Sequence, residues 1–175
     1  LYIMSKDRQR VVKEIKLSDV SREDTGHAIF HSNAGGNIAC ASCHAEGGDD
    51  GRTWDFTGTG EGLRNTITLR GHGAHGALHW TGNFDEVHDF EGQIRNLAGG
   101  TGLINGGTPN PPLGTANAGR STDLDALAAY VKSLTVNGNS PSRTSSGGLS
   151  TDATSGQQIF RAQNCAACHS GTNFS

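Results

Sequence analysis

Methionine occurs once, tryptophan twice, and aromatic residues make up only 6% of the 175-residue chain. Hydrophobic residues reach 33%; the chain meets the about 45–50% apolar share of soluble domains only through its 26 glycines, which bring no side chain to a core. The material for an ordinary apolar core is thin. Either much of the chain is loop, or a non-protein group fills the interior. An excess of one charge is lacking too: 14 Lys and Arg against 17 Asp and Glu give 14 − 17 = −3. The charges form no blocks, which argues against a nucleic-acid partner. No run approaches the ~18 consecutive apolar residues of a membrane span. Leu1-Tyr2-Ile3-Met4 has neither the basic start nor the apolar stretch of a signal peptide. There is no initiator Met, and the chain stops just after a motif. It reads as an internal piece of a longer protein, and the rest of that parent chain is an expected partner.

Cysteine is scarce but patterned. The four fall as Cys40-Ala41-Ser42-Cys43-His44 and Cys165-Ala166-Ala167-Cys168-His169. Cys-x-x-Cys-His is the attachment signature of c-type haem. Two thiols add across the two vinyl groups of one porphyrin edge, and a two-residue gap lets a short turn reach both. The adjacent histidine then takes the proximal position on iron. Each alternative explains less. A redox dithiol needs no histidine behind it. A four-cysteine zinc site would ignore both histidines. A disulfide closing so short a loop adds little stability. Two covalent haem c groups are expected, held by Cys40, Cys43, His44, Cys165, Cys168 and His169. Their macrocycles would also supply the missing apolar core.

The surroundings repeat. Gly26 and Phe30 precede the first motif as Gly156 and Phe160 precede the second, at an offset of 130 for both residues and 125 for the cysteines. The first unit carries extra Gly-rich residues between Asn33 and Asn37. Arg22 to Ser32 and Ala153 to Gln163 read as short helices, the first after Ser21 as N-cap. Asp123 to Val136 carries the stripe Leu124, Leu127, Ala128, Val131 and Leu134 at helical period. It is the expected partner at a close crossing over Gly26, with Tyr130 at the contact. Leu1 to Asp19 is strand-like on either side of a polar run and reads as a β-hairpin-like end of a preceding domain. The expected fold is mainly α with much loop: two class I cytochrome c-like domains, the second truncated. Their bounds are 20–136 and 151–175, joined by a Gly- and Ser-rich linker at 137–150. The middle of the first, Glu46 to Gly119, is expected to be loops and short helices with little sheet.

A sixth iron ligand has several candidates. Met4 is far upstream. His27 and His31 lie four apart on one helix face and read as solvent-facing. His88, among Asp85, Glu86 and Asp89, reads as a surface residue paired with carboxylates. The segment Gly71 to Trp80 holds His72, His75 and His79 among three glycines. His75 or His79 is the preferred distal ligand or pocket residue of the first haem.

From Ser21 onward the chain resembles the bacterial di-haem cytochrome c peroxidases and the di-haem enzyme that matures methylamine dehydrogenase. Gly62-Leu63-Arg64-Asn65-Thr66-Ile67-Thr68-Leu69-Arg70-Gly71 looks like the family's Arg-Asn-x-Pro-x-Leu run. His79-Trp80-Thr81-Gly82-Asn83 looks like its Phe-Trp-Asp-Gly-Arg run. Ser140-Pro141-Ser142-Arg143 looks like the approach to its second haem. The stretch from Leu69 to Arg95 further resembles a branch in which the di-haem unit follows a β-propeller. The resemblance implies His44 and His169 as proximal ligands, Trp80 as the tryptophan between the haems, and Asn65 as a ligand of calcium between the domains. Two positions depart from the pattern. Thr57 stands where the peroxidases carry a distal histidine, and Ala98-Gly99-Gly100 stand where they carry an acid for peroxide cleavage. Glu86 and Glu91 are near in sequence but displaced.

The resemblance implies a periplasmic or extracellular di-haem oxidoreductase, peroxidase-like, in which one haem reacts and the other relays electrons. Trp80, His79 and His75 are its expected reactive-side residues. A redox protein or a small-molecule oxidant is its expected partner. The alternative is an electron-transfer module with both irons six-coordinate and no substrate site.

Overall fold

The computed structural model describes residues 2–6, 10–17, 24–72, 77–135 and 140–169. Ser21, His75 and residues 137–139 of the linker, all singled out above, lie outside the described residues. Strands β1 (Tyr2–Met4) and β2 (Val11–Glu14) pair antiparallel, with every residue of both exposed. Their apolar side chains contribute nothing to the core.

Helix α1 (Thr25–Phe30) opens at Asp24, whose carboxylate accepts the His27 backbone N–H. That bond satisfies one of the free donors of a helix start. A single helical turn, α2 (Cys40–Cys43), ends at His44. A second antiparallel hairpin follows, β3 (Thr53–Phe56) on β4 (Gly62–Asn65), in the register Thr53↔Asn65 to Phe56↔Gly62. Little sheet was expected in this region. The alternation in Thr53-Trp54-Asp55-Phe56, with Trp54 and Phe56 half-buried, is the period-2 signal that drives it. Helix α3 (Glu91–Asn96) continues a 3-10 turn over Val87–Phe90.

Helix α4 (Thr122–Ser133) is capped by the Ser121 hydroxyl on the Leu124 N–H. It buries Leu124, Leu127, Ala128 and Val131. These join Phe30, Leu78, Phe84, Val87, Ile94 and Ile104 in one apolar cluster. Leu134 of the expected stripe falls at the C-cap and rests on the turn after His44: a Cβ on Gly47 would lie 2.7 Å from Leu134 Cδ1. The crossing of α1 over α4 is close. A Cβ on Gly26 would sit 2.1 Å from the Ala126 carbonyl oxygen and 2.7 Å from Tyr130 Cβ. Only a residue without a side chain permits this approach.

Helix α5 (Thr151–Ala162) starts at the Ser150 cap and buries none of its residues. Gly156, the counterpart of Gly26, has nothing within 4 Å of a built Cβ. Before α5, residues 140–150 form a hydrogen-bonded turn, with Thr144 N–H donating to the Gly148 carbonyl and Arg143 bridged to Leu149.

Candidate functional site

The first motif is folded as one turn. The His44 backbone N–H donates to the Cys40 carbonyl at 2.9 Å, so both thiols and the imidazole project from five consecutive residues. All four cysteines are free thiols. Desolvation by burial is the main force pushing the Cys40 and Cys43 thiols above their usual range. A redox dithiol or a thiolate metal ligand has the opposite need, a depressed thiol pKa. Among the described residues no three His, Cys, Asp or Glu side chains gather as ligands of one metal ion. Covalent haem does not ask for that: the thiols must reach one ring edge and the imidazole the ring centre.

His44 supplies a direct observation. Its ring lies against backbone groups of Gly48 and Ile67, and burial holds the imidazole below its usual pKa, hence neutral. Its Nδ1 is buried with no hydrogen-bond partner. Two thiols and an imidazole presented from one helical turn are the donor set that covalent haem asks for, so the residues fit a haem at the first motif. The turn behind it is fastened: Leu69 N–H donates to the Gly47 carbonyl at 2.8 Å, and the Arg70 guanidinium donates to the Glu46 carbonyl at 3.2 Å and 3.3 Å. At the second motif, Cys165–Ala167 form a 3-10 turn. The His169 ring lies 6.4 Å from that of Phe160.

The structure brings Asn65, His79 and Trp80 together. The Trp80 indole N–H donates to the Asn65 carbonyl at 2.9 Å. His79 adjoins Trp80 at 4.5 Å between ring centroids and stacks on Phe84 at 4.6 Å with a 7° interplanar angle. Its Nδ1 faces Asn83 Oδ1 at 2.8 Å and Glu61 Oε1 at 3.9 Å. The His79 proton is thereby drawn to Nδ1, leaving Nε2 as the acceptor. Trp80, Phe56, Glu61, Gln93 and Asn96 line a cleft of about 170 Å³. Glu61 and Asn83 were missed in the sequence, because neither carries a motif of its own. The only available signal was their closeness in sequence to Arg64-Asn65 and His79-Trp80.

Asn65 Oδ1 already accepts the Thr53 hydroxyl at 2.6 Å, so the calcium expectation gains no donor set among the described residues. Glu91 is fully buried and spent on structure: its carboxylate accepts the Leu103 and Ile104 N–H groups and pairs with Arg95 at 2.8 Å. Glu86 accepts the Asn117 N–H and faces His88. Neither is presented as an acid beside His79. His88 corrects an expectation. It is 4% exposed, not a surface residue, and it bridges Glu86 at 3.2 Å and Asp125 at 3.0 Å. The sequence showed the carboxylates beside it but not Asp125 on α4, which closes over it. His27 and His31 are exposed, as expected.

Neither the family models nor the curated proteins give a match to this chain. Among solved structures, a chain of hydrazine synthase from Kuenenia stuttgartiensis, pressurised with 20 bar xenon, is similar over 93% of this chain, with a TM-score of 0.53. The two are 19% identical, and this chain spans about 60% of that chain's length. At that identity the likeness speaks for the fold alone.

Proposed function

We propose that this chain is part of a c-type haem oxidoreductase with two covalent haems, of the di-haem peroxidase and maturation-enzyme kind. The observation that carries the reading is the repeated Cys-x-x-Cys-His motif, whose first copy presents both thiols and the imidazole from a single helical turn. Cys40 and Cys43 would hold one haem and Cys165 and Cys168 the other, with His44 and His169 as proximal ligands. When bound, haem supplies one-electron iron chemistry, tuned by axial ligand, polarity and access. The chain's own residues do the rest. The Gly47 and Glu46 carbonyls, tied to Leu69 and Arg70, keep the turn behind His44 in place. Asn65 fixes the plane of Trp80, and Asn83 holds the proton of His79 at Nδ1. The similar fold in hydrazine synthase, an enzyme by name, supports the enzyme side of the reading.

The carrier reading has one observation in its favour. A ligating histidine donates its other N–H to a nearby oxygen, and His79 already does so to Asn83. Attachment of haem c occurs outside the bacterial cytoplasm, so the expected location is periplasmic or extracellular.

The test is haem content after maturation in a host that attaches haem c. Two haems per chain by pyridine haemochrome are expected, and one each in Cys40→Ser/Cys43→Ser and Cys165→Ser/Cys168→Ser. Zero in the parent overturns the reading. Low-temperature EPR with and without peroxide then separates the classes. A high-spin signal lost on peroxide addition marks an enzyme; two unchanged low-spin signals mark a carrier.

A further inference from the structure

We infer that the cleft beside Trp80 is a binding site for a small primary alkylammonium ion, with the Glu61 carboxylate as its anchor. The site does not depend on the haem reading.

The lining is rich in acceptors because two of its donors are already engaged. The Trp80 indole N–H goes to the Asn65 carbonyl at 2.9 Å, so the ring offers the cleft its π surface. The Thr59 hydroxyl donates to the Phe56 carbonyl at 2.9 Å, which leaves its oxygen as an acceptor. Gln93 and Asn96 stand three apart on α3, hence on one face. Among the described residues neither of their side-chain amides has a hydrogen-bond partner.

Glu61 is the one charged residue of the lining. Its side chain is 22% exposed, and its partners stand off, with Arg64 Nη2 at 3.5 Å from Oε2 and His79 Nδ1 at 3.9 Å from Oε1. An ionised carboxylate offers about four acceptor positions, so room remains on both oxygens. Phe56 and Trp80, 5.1 Å apart between centroids, stand beside it. A cation is drawn there by the carboxylate charge and by the ring quadrupoles together. An anion is repelled, since no Lys, Arg or His lines the cleft among the described residues. An ammonium group carries three N–H donors and no acceptor, which matches Glu61, the Thr59 oxygen and a carboxamide oxygen. Leu97 and the two rings give a short alkyl tail an apolar wall. At about 30 Å³ per water-sized group, the 170 Å³ of the cleft take about five non-hydrogen atoms.

The experiment is calorimetric titration of the full, haem-loaded chain with n-propylammonium, with 1-propanol and propionate as its neutral and anionic counterparts. A dissociation constant of about 0.1–1 mM is expected, within what so small a ligand can supply. 1-Propanol and propionate should each bind at least about tenfold more weakly. Glu61→Gln removes the charge and keeps the shape; it should weaken the ammonium ion at least about tenfold, the size of a hydrogen bond to a charged group. Leu97→Trp fills the cleft, leaves Glu61 in place and should block the ion. Far-UV circular dichroism reports that each variant is folded, and the Soret band should stay unchanged through the titration. The site is overturned by no binding to the parent, by equal binding of 1-propanol, or by parent-like affinity in either folded variant. A Soret shift that follows the binding curve would put the amine on iron and overturn it as well.

Discussion

Alanine at Gly26 and alanine at Gly156 are the same substitution at equivalent places in the two halves of a repeat, with opposite surroundings. At Gly26 the new methyl would lie 2.1 Å from the Ala126 carbonyl oxygen and 2.7 Å from the Ala126 carbonyl carbon. Both are main-chain atoms inside α4, so no side chain can swing aside. The helix pair must separate, and Phe30, Leu124 and Leu127, all in the core beneath, lose contact with it. Overpacking of this kind costs about 1–3 kcal/mol, and a contact this short on backbone belongs at the upper end. Alanine returns about 1 kcal/mol of helix propensity, leaving a net loss of about 2 kcal/mol for Gly26→Ala. For a chain of this size that lowers the melting temperature by about 4–8 °C. At Gly156 nothing lies within 4 Å; the propensity gain stands alone, and the midpoint should stay at or slightly above that of the parent. Thermal unfolding followed by circular dichroism, with urea titration as a check, reads both. If Gly26→Ala proves as stable as Gly156→Ala, α1 and α4 do not cross as described here.

The buried Glu91 carboxylate, paired with the part-exposed Arg95, holds the 97–104 loop through two backbone N–H groups; Glu91→Ala should cost about 3 kcal/mol in urea unfolding, the lower end of the loss when one partner of a buried pair is removed. Asp89 has its carboxyl pushed above the usual range, chiefly by burial. Its charged form is disfavoured in the fold, so its contribution is fully present below the unfolded pKa and is lost as pH rises through the raised folded value. The parent should therefore gain stability relative to Asp89→Asn as pH is lowered from neutral towards 4, and a pH-independent difference would contradict this. Trp80→Phe removes the indole bond to the Asn65 carbonyl; a loss of about 1 kcal/mol is expected, with haem content unchanged. His44→Ala should abolish the proximal field of the first haem only, visible as a changed Soret and EPR signature of one centre out of two.

Local rules made several parts legible. The spacing of the two Cys-x-x-Cys-His motifs is read directly from the chain, and the structure keeps the first within one turn. The stripe on α4 follows from helical period, and the Gly26 crossing from the absence of a side chain. The hairpin β3–β4 was harder to see, because four-residue strands give a weak period and the Gly-rich surroundings read as loop. His88 was misjudged as surface because three acidic neighbours in sequence suggest solvent. What meets it from a distant segment is Asp125 on α4, 3.0 Å from its Nε2.

By itself the sequence determined that the chain carries two Cys-x-x-Cys-His motifs, that a helix with an apolar stripe lies between them, and that glycines stand at equivalent positions before each motif, though the helix starts fell one to three residues from those expected. These depend on residue identity and spacing over a few residues. Only the tertiary structure decided that Gly26 is filled against Ala126 while Gly156 is open, that Glu91 is spent on a loop, and that His44 Nδ1 is left without a partner. Each of those depends on what distant segments bring to the same few ångströms, and pairing across the fold leaves no period in the chain.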